Sequence, residues 1–143
     1  MLRRLALAAL AAFVFDMAYG FVVYGNLAAG QFAKYPGVYR AASDMSNAPQ
    51  LMSGILVGAA VAAYIYAKGY EHGSGIAEGA RFGIAMGAFV GGYTGLVSWA
   101  VLNIGSDLGL TLVVVGFVEW FLVGVIVGLV YKPAPAARRT VGV

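Results

Sequence analysis

The sequence predicts an all-α polytopic membrane protein in which four transmembrane helices form one bundle. Of its 143 residues, 62% are hydrophobic and only 10% are charged, whereas about 25% are charged in a soluble domain. The apolar residues fall into four runs, at 5–27, 51–67, 82–104 and 109–131. Each run approaches or exceeds the roughly 17 residues that a spanning helix needs. None shows the strict in/out alternation of a membrane barrel.

The connections between the runs define one membrane domain, over residues 1–132. The longest connection, 28–50, is long enough to form a structured outer loop. Long loops often carry function. The second connection, KGYEHGSGIAEGA, is rich in glycine, and the third connection is a tight turn around GSDLG. Residues 133–143 are expected to be a flexible tail, since Pro133 ends the last helix.

The positions of lysine and arginine predict the orientation. On a path with four spans, seven of the nine basic residues lie on the side of the termini, and only Lys34 and Arg40 lie on the other. Basic residues are enriched in cytoplasmic loops, so we predict a multi-pass protein of the bacterial inner membrane with both termini in the cytoplasm. A cleaved signal peptide is the alternative for the first run, because Arg3 and Arg4 precede it. Apolar character that continues to Leu27 favours a span.

Two carboxylates lie inside apolar runs. Asp16 falls at the centre of the first run, and Glu119, in GFVEWFLVG, falls within one residue of the centre of the fourth. Tyr93 is the centre of the third run, so the three polar groups are predicted at one depth near the membrane midplane. A charged carboxylate at that depth costs about 2.5–3.5 kcal/mol on insertion scales. We therefore expect both acids to face the interior of the bundle.

The leading hypothesis is a proton or cation relay formed by Asp16, Glu119 and Tyr93, because intramembrane acids commonly mark such pathways. If the carboxylates meet, desolvation and like-charge repulsion keep at least one protonated near neutral pH. The alternatives are that protonated acids hydrogen-bond between helices and hold them together, or that they contact a partner subunit. The supporting polar residues are Tyr19 and Tyr24 on the first run and Thr94, Ser98 and Asn103 on the third. Thr94 and Ser98 could instead bond to their own helix.

Glycines recur every four residues in three of the runs. In the third run, EGARFGIAMGAFVGGYTG, they leave a nearly bare ridge along one side of the helix. Such spacing allows close approach of helices, either within one bundle or between the subunits of a homo-oligomer. The glycines with this spacing are Gly79, Gly83, Gly87, Gly91 and Gly95 in the third run, Gly54 and Gly58 in the second, and Gly124 and Gly128 in the fourth.

Several classes of function find no support in the sequence. The chain has no cysteine, which excludes disulfides, thiol catalysis and clusters held by cysteine. Its single histidine, His72, excludes haem ligation by two histidines of one chain. GSGIAEG follows a membrane helix rather than a strand, so it does not predict a nucleotide site. We expect the lipid bilayer as a partner and no cofactor, metal, nucleotide or nucleic acid. A membrane enzyme acting on lipid or quinone is a weaker alternative.

EGARFG at the opening of the third run, EW in the fourth and GLVYKP at its end resemble small four-span bacterial inner-membrane proteins that are grouped only as domains of unknown function. The resemblance covers most of the chain and implies a fold and a location. The chain is also similar to small multidrug-resistance carriers in having four helices and an acid in the first span, although their acid is a glutamate. We predict proton- or cation-linked transport or conduction by a homo-oligomer; the alternative is an accessory or assembly subunit of a larger membrane complex.

Overall fold

The computed structural model describes residues 2–41, 43–71 and 73–131. The regular elements of these residues are all helical. They are α1 (Leu2–Tyr19), a π-helical continuation (Gly20–Leu27), the short α2 (Ala29–Phe32), α3 (Ala48–Gly69), α4 (Gly75–Gly87), a second π-helical segment (Ala88–Gly95), α5 (Leu96–Val101) and α6 (Ser106–Val130).

Four continuous helices are long and apolar enough to cross a membrane. We call them spans 1 to 4, and they cover Leu2–Leu27, Ala48–Gly69, Gly75–Val101 and Ser106–Val130. The predicted fold class, an all-α chain with four membrane helices, is confirmed at this level. The predicted tail 133–143 and His72 lie outside the described residues.

Span 3 begins and ends earlier than predicted. It starts at Gly75 instead of residue 82, because Glu78 in its first turn accepts the backbone N–H groups of Glu71, at 3.1 Å, and Gly73. It ends at Val101 instead of residue 104, since Leu102 has an extended backbone. The glycine-rich connection is therefore shorter than expected.

Span 4 is the centre of the bundle. It packs against span 1 on one side and most extensively against span 3 on another, while span 2 packs mainly on span 1. Consecutive spans run in opposite directions, so the start of span 1 and the end of span 4 share one end of the bundle. We call this the termini end, and we call the end that carries residues 28–50 the loop end.

Spans 3 and 4 approach each other backbone to backbone along the glycine ridge. A β-carbon added at Gly79 would lie 2.8 Å from the carbonyl oxygen of Gly124, and one at Gly83 would collide with the carbonyl of Phe121. Gly128 lies opposite Gly79 in the same way. The remaining members of the ridge, Gly87, Gly91 and Gly95, also face span 4. The ridge is thus used within one chain.

The two glycines of span 2 have different surroundings. A β-carbon at Gly58 would lie 3.1 Å from the ring of Trp120 in span 4, whereas one at Gly54 would meet nothing within 4 Å. Gly54 therefore contacts no other span of the same chain, where the buried residues of span 2 begin only at Ala59, and the alternative that it packs between subunits stays a prediction.

The long loop is fixed to the start of span 4. The Lys34 ammonium lies 2.9 Å from the Asp107 carboxylate, and the Thr111 hydroxyl donates to the side-chain carbonyl of Gln31 at 2.8 Å. The Tyr35 hydroxyl donates a further, longer hydrogen bond to Asp107 at 3.4 Å. These contacts position the short helix α2 over the loop end of the bundle.

We predict that Gly83→Ala destabilises the protein by about 1–3 kcal/mol, the usual cost of overpacking. The new methyl group would meet the backbone of Phe121, so spans 3 and 4 would have to separate. Gly54→Ala is the matched control, because it adds a methyl group to a helix interior in open space and should stabilise by about 0.5–1 kcal/mol. Unfolding in detergent micelles measures both. Equal effects would contradict the close packing of spans 3 and 4.

We predict that the Asp44 carboxyl, in the long loop, takes up its proton at an unusually low pH. Hydrogen bonds from the hydroxyl and the backbone N–H of Ser46, the latter at 3.0 Å, and from Arg40 Nη1 at 2.9 Å lower the pKa of the Asp44 carboxyl from 3.8 to about 2. Because the folded value is the lower one, the contribution of ionised Asp44 is complete above about pH 4 and is lost as the pH falls toward about 2. A carboxyl NMR titration in micelles, with Asp44→Asn to assign the signal, should give this midpoint. A midpoint at the ordinary value would contradict the prediction.

Candidate functional site

The two intramembrane acids meet between spans 1 and 4. Asp16 is 6% exposed and Glu119 is 7% exposed, and their carboxyl groups lie within hydrogen-bonding reach of each other. A carboxylate only accepts hydrogen bonds, so a bond between two carboxyl groups requires a proton on one of them. The structure therefore brings together a pair of acids suited to holding a shared proton.

Each acid continues a buried apolar stripe on its own helix. Residues four positions apart lie on one helix face. Counted in such steps from each acid toward the termini end, both helices carry fully buried alanine or valine. Span 2 contributes two more alanines to the same cluster. The six residues, which we call the alanine–valine layer, are Ala8, Ala12, Ala59, Ala63, Val123 and Val127, each at most 1% exposed. A dry layer thus separates the acid pair from the termini end.

Tyrosine hydroxyls lie on the other side of the acid pair. The Tyr24 hydroxyl donates to Oε2 of Glu119 at 3.0 Å, and the Tyr19 hydroxyl donates to the backbone carbonyl of Val115 at 3.0 Å. The rings of Tyr19 and Tyr24 are 6.2 Å apart between centroids, and the ring of Phe32 follows at 6.1 Å from Tyr24. Aromatic side chains therefore extend from the acids toward the loop end.

The π-helical segment Gly20–Leu27 places Tyr24 over Glu119. In an α-helix of 3.6 residues per turn, the five-residue step from Tyr19 to Tyr24 would separate their side chains by about 140°. A π-helix bonds residue i to i+5 and has a wider turn, as in the bond from the Ala28 N–H to the Val23 carbonyl at 2.7 Å. Both tyrosines therefore face span 4. A reading of the sequence by α-helical periodicity could not find this turn.

No basic side chain of the described residues neutralises the acid pair. The ion pairs of the described ranges are Lys34 with Asp107 and Arg40 with Asp44, all outside the site. Residues 2–41, 43–71 and 73–131 also contain no cluster of three or more His, Cys, Asp or Glu side chains that could hold a metal ion. The charge of the pair must therefore be balanced by a proton or by a small cation.

Tyr93 does not join the two acids. Its side chain is 61% exposed, and its ring stacks on Phe89 with centroids 5.6 Å apart. The midpoint of span 3 is Ala88, five residues before Tyr93, and Gly91 and Gly95 turn the opposite face of the helix toward span 4. The expectation that Tyr93 shares the depth and the site of the acids is corrected for these two reasons.

The other polar residues of the third run also lie apart from the acid pair. The Thr94 hydroxyl donates to the carbonyl of Val90 on its own helix, which is the local alternative considered above. Ser98 makes no side-chain hydrogen bond within the described chain, and Asn103 follows the end of α5. None of them contributes to the interactions of Asp16 or Glu119.

Known proteins do not assign a function to this arrangement. Comparison of the chain with protein-family models, with curated proteins and with solved structures finds no match. The resemblance to small four-span inner-membrane proteins stays a prediction. The functional argument therefore rests on the acids and their surroundings.

Two tyrosine-to-phenylalanine changes test the geometry of the site. Tyr24→Phe removes the hydrogen bond to Glu119 and should destabilise the protein by about 0.6–1.7 kcal/mol, the range measured for bonds between membrane helices. Tyr93→Phe deletes the same atom on the exposed face and should change stability by less than about 0.5 kcal/mol. Unfolding in micelles compares the two, and a double-mutant cycle with Glu119→Gln isolates the pair. If the effects of Tyr24→Phe and Glu119→Gln on stability simply add, the hydrogen bond between the two side chains is contradicted.

Proposed function

We propose that this protein carries out proton-linked transport or conduction across a bacterial inner membrane, with Asp16 and Glu119 as the groups that bind and release the proton. The observation that carries the proposal is the contact between two buried carboxyl groups inside membrane-spanning helices. Intramembrane acids are costly and are usually kept for such pathways. In this proposal Tyr24, which hydrogen-bonds to Glu119, replaces Tyr93 as the tyrosine of the relay.

A proton suits the site better than a larger cation does. Hard metal cations such as Ca²⁺ take about six to eight oxygen ligands, whereas the site offers two carboxyl groups and the Tyr24 hydroxyl. The neighbouring Val115 carbonyl already accepts the Tyr19 hydroxyl. A shared proton needs only one donor and one acceptor oxygen, which the two acids supply.

The surroundings of the acids favour proton exchange with the loop end in this conformation. A phenol is both donor and acceptor, so the Tyr24 hydroxyl can pass its proton to Glu119 while its oxygen accepts another proton from water on the side of the loop end. The alanine–valine layer blocks the opposite direction, since its members are fully buried and carry no polar side-chain atom. Delivery to the termini end then requires that spans 1, 2 and 4 part at this layer, a movement of the kind that gives alternating access in transporters.

We also propose how the protein is oriented in the membrane and how it assembles. The distribution of basic residues favours cytoplasmic termini, which makes the loop end the outer end. We also propose that the protein forms a homo-oligomer, because four helices enclose little space for a pathway. The glycine ridge of span 3 is occupied by span 4, so the subunits would meet through other surfaces.

An accessory or assembly subunit of a larger membrane complex is the second candidate. The bonds of Tyr19 and Tyr24 to span 4 favour it, because hydrogen bonds between membrane helices are a common structural tie. In that role the acid pair would hold spans 1 and 4 together without proton transfer. An enzyme is less favoured, since two clefts of the described chain lie at the termini end, away from Asp16 and Glu119.

Proton flux into proteoliposomes separates the two candidates. With a pH-sensitive dye inside and an imposed potential, Asp16→Asn and Glu119→Gln should each reduce the flux by about 100-fold or more, the usual contribution of a positioned proton-transfer group. Tyr93→Phe is the control and should keep wild-type flux, because its side chain faces away from the site.

The same variants provide the contradicting outcome. If wild-type liposomes pass no more protons than protein-free ones, while Asp16→Asn and Glu119→Gln lower the unfolding temperature, the acids are a structural tie. If the two variants lose proton flux but keep the unfolding temperature of the wild type, the result supports the relay.

A further inference from the structure

We propose that a cleft between the ends of spans 2 and 3 binds the headgroup of a phospholipid that carries a primary ammonium group. The cleft has a volume of about 300 Å³ and lies at the termini end of the bundle. Its walls include Ile65, Tyr66, Glu71, Glu78, Arg81 and Phe82. Asp16 and Glu119 take no part in it, so the proposal is independent of the proton relay.

The cleft lies at the depth of the membrane interface. Ile65 is four residues before the end of span 2, and Arg81 is six residues after the start of span 3, or about 6 and 9 Å along the helices. Span 3 has 27 residues and is therefore about 40 Å long, compared with a hydrocarbon core of about 30 Å. Arg81 thus starts close to the edge of the core, from which its long side chain can reach the headgroups.

Opposite charges in the cleft are free to bind a ligand. Neither Arg81 nor Glu71 forms an ion pair or a side-chain hydrogen bond within the described residues. Glu78 is engaged, because it accepts the backbone N–H groups of Glu71 and Gly73. A guanidinium group binds phosphate well, and the Glu71 carboxylate can accept an N–H of an ammonium group.

The walls favour a lipid over a soluble phosphate ester. Ile65 and Phe82 offer apolar surface next to the charged groups, as the first part of an acyl chain requires. Tyr66 is 3% exposed, and its hydroxyl has no hydrogen-bond partner among the described residues. Buried polar groups normally have a partner. An oxygen of the lipid headgroup or its ester that reached the inner wall would supply one.

The charges also select the class of headgroup. Two carboxylates and one guanidinium group disfavour a headgroup with net negative charge, because like charges oppose each other across an interface. A phosphate followed by a primary ammonium places one charge opposite Arg81 and the other opposite Glu71. A trimethylammonium group has no N–H donor, so we expect phosphoethanolamine lipids to bind more tightly than phosphocholine or phosphoglycerol lipids.

Native mass spectrometry of the full chain tests this preference. The protein is mixed with phosphatidylethanolamine, phosphatidylcholine and phosphatidylglycerol of identical acyl chains in equal amounts. We expect about tenfold higher retention of the ethanolamine lipid than of either other lipid, which corresponds to about 1.4 kcal/mol. Arg81→Gln should reduce its retention about tenfold, and Glu71→Met, which removes the acceptor oxygens, should remove its advantage over the choline lipid.

Lys68→Gln is the matched control. It removes a charge at the same end of the bundle, but the Lys68 ammonium lies over the ring of Tyr64, 5.5 Å from its centroid, outside the cleft. Lipid retention should therefore be unchanged in this variant.

Three results would overturn the proposal. They are equal retention of the three lipids, unchanged retention in a folded Arg81→Gln variant, and displacement of the lipid by soluble glycerophosphoethanolamine at equal concentration. The comparison of lipids on the wild-type protein decides the question even if a variant fails to fold. Proton flux should be the same in all three variants, so failure of this test is distinct from failure of the relay.

Discussion

Two carboxyl groups placed inside membrane helices must be shielded from lipid and must share a proton or tolerate each other's charge. This requirement determines how spans 1 and 4 meet. Asp16 and Glu119 lie face to face at the helix contact, and each lies one turn from a fully buried alanine or valine of its own helix. The contact between the acids therefore sets the rotation of both helices, and with it the positions of the alanine–valine layer and of the tyrosines.

The four spans are joined by two kinds of contact. Spans 3 and 4 meet through glycines whose α-carbons and carbonyls touch, so the two backbones have little freedom to slide. Spans 1 and 2 meet through alanine side chains, Ala8 and Ala12 against Ala59 and Ala63. Packing between membrane helices depends mainly on van der Waals contact, and the contact through glycine is the closer one. The bundle thus contains a tight pair, spans 3 and 4, and a less closely packed pair, spans 1 and 2.

The two ends of the bundle serve different purposes. At the loop end, Gln31 and Lys34 bind to the start of span 4 and hold the aromatic side chains above the acids. At the termini end, the glycine-rich connection is closed by Glu78, which leaves Arg81 and Glu71 without an ion-pair partner in the described residues. The proposed proton site and the proposed lipid site therefore share no residue.

The sequence by itself determined that the chain forms four membrane helices, because lipid offers no partner for backbone polar groups and long apolar runs must bond internally as helices. Four-residue glycine spacing likewise predicted one close-packed face on span 3. The sequence could not determine how each helix is rotated or which helices are neighbours, so Tyr93 was expected beside the acids, whereas its side chain is exposed. Tyr24, a supporting residue in the sequence analysis, reaches Glu119, 95 residues away, from a π-helical segment that the sequence pattern did not predict. Contacts between such distant segments, and the local departure from 3.6 residues per turn that they accompany, are decided by the tertiary structure.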